Sequence, residues 1–99
     1  MAIHAGTFRI EYDGTYDDRY NSVVAAIRAQ TTTAYWDEPT SFFLIESGKN
    51  SASIADAVVL NSEFDARKDL LLVINLTEKG YTPRGVVKDG DLNALMARR

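Results

Sequence analysis

No cysteine occurs anywhere in the 99 residues. Disulfides, thiolate metal centres and cysteine nucleophiles are excluded, and the composition suits a reducing compartment, the cytoplasm being the expected one. Histidine is nearly as scarce. His4 is the only one, so no two-histidine metal set exists and neither Ser41 nor Ser47 has a histidine base for hydrolase chemistry. His4 is expected in a frayed N-terminus. No apolar run approaches the ~20 residues of a membrane span. The opening MAIHAGTF lacks the basic start and long apolar core of a signal peptide. Gly14, Gly48 and Gly80 are isolated and no Gly-Lys-Ser/Thr follows them, which excludes a phosphate loop. No internal repeat, low-complexity run or linker divides the chain.

What is present is an ordinary globular composition, 45% hydrophobic and 25% charged, sized for one domain over residues 1–99. The net charge of −3 is unevenly placed: residues 1–78 carry 6 Lys/Arg against 12 Asp/Glu, and residues 79–99 carry 5 against 2. The tail cations Arg84, Lys88, Arg98 and Arg99 are either a solvated face or a contact for a phosphate or an acidic partner. The acidic body argues against broad nonspecific nucleic-acid binding.

The stretch FRIEYDGTYDD places Phe8, Ile10 and Tyr12 on one face and Arg9, Glu11 and Asp13 on the other, predicting a first strand over Thr7–Asp13. Asp13-Gly14-Thr15 turns the chain into a helix over Tyr16–Gln30, with Thr15 as N-cap and Asp18 three residues on. Its apolar stripe is Tyr16, Tyr20, Val23, Val24 and Ile27. A hairpin around Pro39 joins the Tyr35-Trp36 segment to a strand over Thr40–Glu46. Ser51 is expected to cap a second helix over Ala52–Asn61, with Ile54, Ala57, Val58 and Phe64 inward. Asp69–Leu76 reads as the last core strand, Thr82–Lys88 as a short edge strand, and Asp91–Arg99 as a helical turn docked by Leu92, Leu95 and Met96.

The order β-α-β-β-α-β is that of a ferredoxin-like α+β sandwich, with a core over residues 7–77 and a C-terminal extension over 78–99. Both helices would cover one sheet face. Yet Phe42-Phe43-Leu44-Ile45 and Leu70-Leu71-Leu72-Val73-Ile74 are apolar at every position, as in strands buried on both faces. A homodimer pairing the helix-free faces about a two-fold axis is therefore expected. The alternative is that the C-terminal extension folds back over that face.

The same strings resemble a known family. Tyr12-Asp13, the helix opening Tyr16-Asp17-Asp18, the run Trp36-Asp37-Glu38-Pro39-Thr40-Ser41-Phe42-Phe43-Leu44-Ile45 and the run Lys68-Asp69-Leu70-Leu71-Leu72-Val73-Ile74 are similar to the small ferredoxin-like CRISPR-associated proteins of the "Cas two" family. The resemblance is closer to their SinR-like sister group, in which a Trp-containing loop precedes a Thr/Ser-led strand. A toxin family with ribonuclease activity, the virulence-associated D proteins, shares the fold. The resemblance implies that Asp13 matches the aspartate ending the first strand, which in some members is proposed to hold a divalent metal across the dimer for phosphodiester cleavage. Other members bridge DNA without that chemistry. The basic helix start of the family is replaced here by Tyr16-Asp17-Asp18-Arg19, and its Ser-x-Phe-Glu strand by Ser41-Phe42-Phe43-Leu44.

Asp13 thus has two readings. Paired across a dimer, it would supply carboxylate oxygens to Mg²⁺ in a metal-dependent endoribonuclease or DNase. Alternatively it caps the turn before Gly14, with Asp17 and Asp18 favouring the helix dipole. Trp36 and Tyr35 either stack on a base or pair within the hairpin. The expectation adopted is a homodimeric, noncatalytic binding or regulatory module that needs no cofactor, has no membrane contact, and takes a nucleic acid or a protein as partner in a defence, mobile-element or regulatory setting. A further option is capping of another protein through the exposed edge near Thr82–Lys88.

Overall fold

The computed structural model describes residues 1–99. In chain order the elements are β1 (Ala2–Arg9), α1 (Tyr16–Arg28), β2 (Tyr35–Trp36), β3 (Phe42–Ser47), α2 (Ser51–Leu60), β4 (Leu70–Asn75), β5 (Tyr81–Gly85) and α3 (Asp91–Met96). The class is α+β: five strands form one sheet in the order β2-β3-β1-β4-β5, every neighbouring pair antiparallel.

The ladder sorts the side chains onto two faces, because successive residues of a strand point to opposite sides. His4, Gly6 and Phe8 of β1 stand opposite Ile45 and Phe43 of β3 and Asn75, Val73 and Leu71 of β4. These residues form the helix-covered face, where Phe43, Ile45, Leu71 and Val73 pack with Val23 and Ile27 of α1 and Ile54 and Val58 of α2. Gly6 is required here by close approach, since a Cβ on it would lie 2.0 Å from Cζ of Phe43. Phe64, expected inward, is buried. In α2 the inward residues are Ile54, Ala55 and Val58 rather than Ala57.

The first strand differs from the expected Thr7–Asp13. It begins at Ala2 and leaves the ladder after Arg9, whose last rung is Leu70. The cause lies at Glu11. Its N–H donates to Oδ1 of Asp69 at 2.9 Å and its carbonyl accepts Nη2 of Arg19 at 2.7 Å, so side chains, not a strand, satisfy both main-chain groups of that residue. Ile10 is still buried, but Tyr12 is 86% exposed. His4 is correspondingly not frayed: it lies in the central strand and is completely buried.

Three further local differences have physical causes. Thr15 holds the N-cap position of α1 without capping it, because its hydroxyl donates to Asp13 and accepts from Arg19. Asn50, not Ser51, caps α2, accepting the N–H of Ser53 at 2.8 Å. Ser51 is buried instead, its hydroxyl 2.9 Å from that of Thr82. The edge strand starts at Tyr81 and ends at Gly85, whose φ of 88° and approach to the Asp69 carbonyl leave no room for a side chain.

The C-terminal helix α3 buries none of its residues. Of the three residues expected to dock it, Leu92 and Met96 are half-buried and Leu95 is exposed, so the docking is partial. The segment is tied to β5 through Tyr81, whose hydroxyl donates to Asn93 and whose ring lies beneath the Arg99 guanidinium.

Candidate functional site

Arg19 sits on the inward stripe of α1, three residues after Tyr16 and four before Val23, so the helix carries a guanidinium into the core. A buried charge needs a partner. Asp69, immediately before β4 and fully buried, provides it: Nε and Nη2 of Arg19 reach its two carboxylate oxygens, each at 3.2 Å. Asp69 also accepts main-chain N–H groups from Glu11 and Asp65, each at 2.9 Å. The group thus ties β1, α1 and the approach to β4 together.

Asp13 lies at the rim of this group, in the loop between β1 and α1. Its carboxylate accepts Nη1 of Arg19 at 2.6 Å and Nζ of Lys68 at 2.5 Å. It also accepts the Thr15 N–H at 2.9 Å, and its carbonyl accepts the N–H of Tyr16. The Lys68 ammonium, the Arg19 guanidinium and the Thr15 amide hold the Asp13 carboxyl well below the usual carboxylate range. Asp69 and Asp13 together hold the Arg19 guanidinium charged beyond its ordinary range. Asp17 and Asp18 are exposed in the first turn of α1 and join no ion pair within the chain. No three His, Cys, Asp or Glu side chains converge as a metal-binding group.

The tail cations do not form one patch. Arg84 is paired with Asp56 of α2 at 2.9 Å, which joins β5 to that helix. Arg99 lies over Tyr81 and donates to the Met96 carbonyl. Lys88 and Arg98 make no ion pair. Tyr35 and Trp36 form the outer rungs opposite Ile45 and Leu44. Arg28 lies over the Tyr35 ring, and Trp36 meets Phe42 edge-on at 6.3 Å.

The second sheet face is covered by neither α1 nor α2; α3 is held beside it by Tyr81, which the register sets in the row of Ala5 and Ile74. Its rows are Ala5 between Leu44 and Ile74, and Thr7 between Phe42 and Leu72, with Ile3, Trp36, Leu70 and Pro83 around them. Ile3, Trp36 and Phe42 are exposed at 38%, 45% and 36%. Two charges stand at opposite ends of the same face: Arg9 opposite Leu70, and Glu46 opposite Ile3.

Sequence reasoning singled out Asp13 but missed Arg19 and Asp69, which bury deeper. An arginine on an apolar helical stripe was the available signal. It also misplaced His4, expected in a frayed N-terminus, which sits on the covered face with neither ring nitrogen hydrogen-bonded.

No family model, no curated protein and no solved structure matches this chain. No helix is long and apolar enough to cross a membrane.

Proposed function

We propose that this chain is a small noncatalytic binding or regulatory module, built on a ferredoxin-like frame with β5 and α3 appended, that works as a homodimer joined through its helix-free sheet face. The observation that carries the reading is the continuous apolar surface of that face, Ile3, Trp36, Phe42, Leu44, Leu70, Leu72 and Ile74, left uncovered by either long helix. Ile3, Trp36 and Phe42 are exposed and the other four half-buried, and apolar surface of this continuity marks an interface. Its charges are self-complementary. A two-fold axis lying between two such sheets and crossing their strands sets Arg9 of one protomer over Glu46 of its partner, twice. A C2 interface of this kind is isologous, so one patch serves both copies.

The resemblance to the SinR-like proteins supports a place in defence, mobile-element or regulatory processes, with a nucleic acid or protein as ligand. Among Arg84, Lys88, Arg98 and Arg99, Lys88 and Arg98 are the ones free to meet it. The rival is a magnesium-dependent endoribonuclease or DNase working through Asp13 paired across the dimer. It has less support, because Lys68 and Arg19 already satisfy the Asp13 carboxylate. Mg²⁺ would have to displace both cations.

Light scattering at micromolar concentration tests the dimer. Twice the chain mass is expected, with Leu72→Lys, which sets a charge in the centre of the face, giving a folded monomer. A monomeric wild type sinks the reading.

A further inference from the structure

A cavity of about 190 Å³ opens between α1 and the Asp37–Ser41 loop. Its wall is aromatic and firm. Phe43 is 1% exposed and Phe8 6% exposed, and the Phe8 and Tyr20 rings meet at 5.3 Å with a 58° tilt. Val24 and Ile27 close the helix side.

The loop over this cavity is anchored at both ends. Ser41 has a φ of 59°, the only positive value outside glycine. Its carbonyl accepts the Phe8 N–H at 3.1 Å and the Thr7 hydroxyl at 2.7 Å, and its N–H donates to Oη of Tyr20 at 3.3 Å. At the far end Asp37 accepts Nε of Arg28 at 2.9 Å.

The polar groups at the mouth are not all used. Tyr20 accepts from Ser41, and its own hydroxyl proton donates to nothing in the chain. Arg28 and Asp37 neutralise each other, whereas Glu38 joins no ion pair and leaves the rim with one negative charge. Ring walls, a free hydroxyl donor and one uncompensated carboxylate define a ligand chemistry. The ring of a guest would lie against Phe8 and Tyr20, and its cation beside Glu38, where aromatic faces add to the attraction. A cavity of about 150 Å³ is enough to hold benzene, so this one has room for one ring with a short arm.

We propose that this cavity is a binding site for a small single-ring aromatic amine, with Tyr20 and Phe8 holding the ring and Glu38 the ammonium. The site lies on the helix side of the sheet and does not rest on the dimer.

Titration of the full chain with phenethylamine, followed by amide nuclear magnetic resonance, tests it. Butylamine lacks the ring and benzoate reverses the charge. Saturable shifts at Tyr20, Thr40 and Ser41 are expected with phenethylamine, and weaker ones with the other two probes. Glu38→Gln is expected to weaken phenethylamine up to about fivefold, the range of an exposed ion pair, without weakening benzoate. Val24→Phe, which fills the cavity from a half-buried helix position, is expected to abolish binding. Absence of saturable shifts up to about 10 mM, weaker than any affinity worth assigning to a built site, overturns the proposal. So does equal binding of benzoate, or phenethylamine binding unchanged in Glu38→Gln.

Discussion

Arg19 grips Asp69 with two parallel hydrogen bonds of 3.2 Å each, across 50 residues of chain and inside the fold. The pair joins the first turn of α1 to the residue before β4, and its remaining donors fasten Glu11 and Asp13. Truncating one partner would leave the other charge buried and alone, which is strongly destabilising, whereas exposed pairs contribute little. Arg19→Met is therefore expected to lower the urea midpoint several times more than Arg84→Met, which removes the solvent-facing pair with Asp56 and costs at most about 1 kcal/mol. Equal losses would show that the buried pair has no structural role beyond that of a surface one.

Asp13 separates the two functional readings. If it is the turn's anchor, Asp13→Asn lowers stability at neutral pH and leaves nucleic acid untouched, with or without Mg²⁺. The sign with pH follows from its lowered pKa: the stabilising share is present above the ordinary value of 3.8 and is lost as pH falls below it. The asparagine variant should lack that part of the acid transition. Cleavage of labelled RNA or DNA that needs both Mg²⁺ and Asp13 would instead make the chain a nuclease.

His4 predicts a second pH effect, at higher pH. Burial lowers its pKa from 6.5, opposed by main-chain groups of Lys49 and Ser47 and by the charge of Glu78. The folded state then binds a proton less readily than the unfolded chain. Stability is complete above about pH 6.5 and declines as pH falls below it. Denaturant midpoints between pH 7.5 and 5 should show that decline in the wild type and lose it in His4→Leu. An unchanged slope in the variant would assign the decline to other groups.

Gly6 offers a packing test. The Phe43 ring occupies the space of a β-carbon at Gly6, so Gly6→Ala forces overpacking at the sheet centre and is expected to cost about 1–3 kcal/mol. Phe43→Leu in the same chain should recover part of that loss. Failure of the double variant to recover any stability would mean that the strain lies in the backbone of β1.

Periodicity in the sequence was sufficient for α1, α2, β3 and β4, because each buries one regular face of near-continuous apolar residues. It misplaced β1, where Ala2-Ile3-His4-Ala5-Gly6 carries small and polar residues inward and Phe8-Arg9-Ile10-Glu11-Tyr12 continues the alternation past the point where pairing stops. Small inward residues leave no hydrophobic pattern to read. The end of the strand depends on which hydrogen bonds compete for Glu11, and those come from Arg19 and Asp69.

Composition alone determined that cysteine thiol chemistry is absent, since a missing residue type cannot be supplied by folding. Local pattern likewise determined the α+β order of elements. Only tertiary structure decided that Asp13 meets Lys68, 55 residues away, that Arg84 is held by Asp56, and that His4 is enclosed. Charge partnership and burial depend on distances between segments that the sequence separates, so the state of each candidate side chain follows from its neighbours in space.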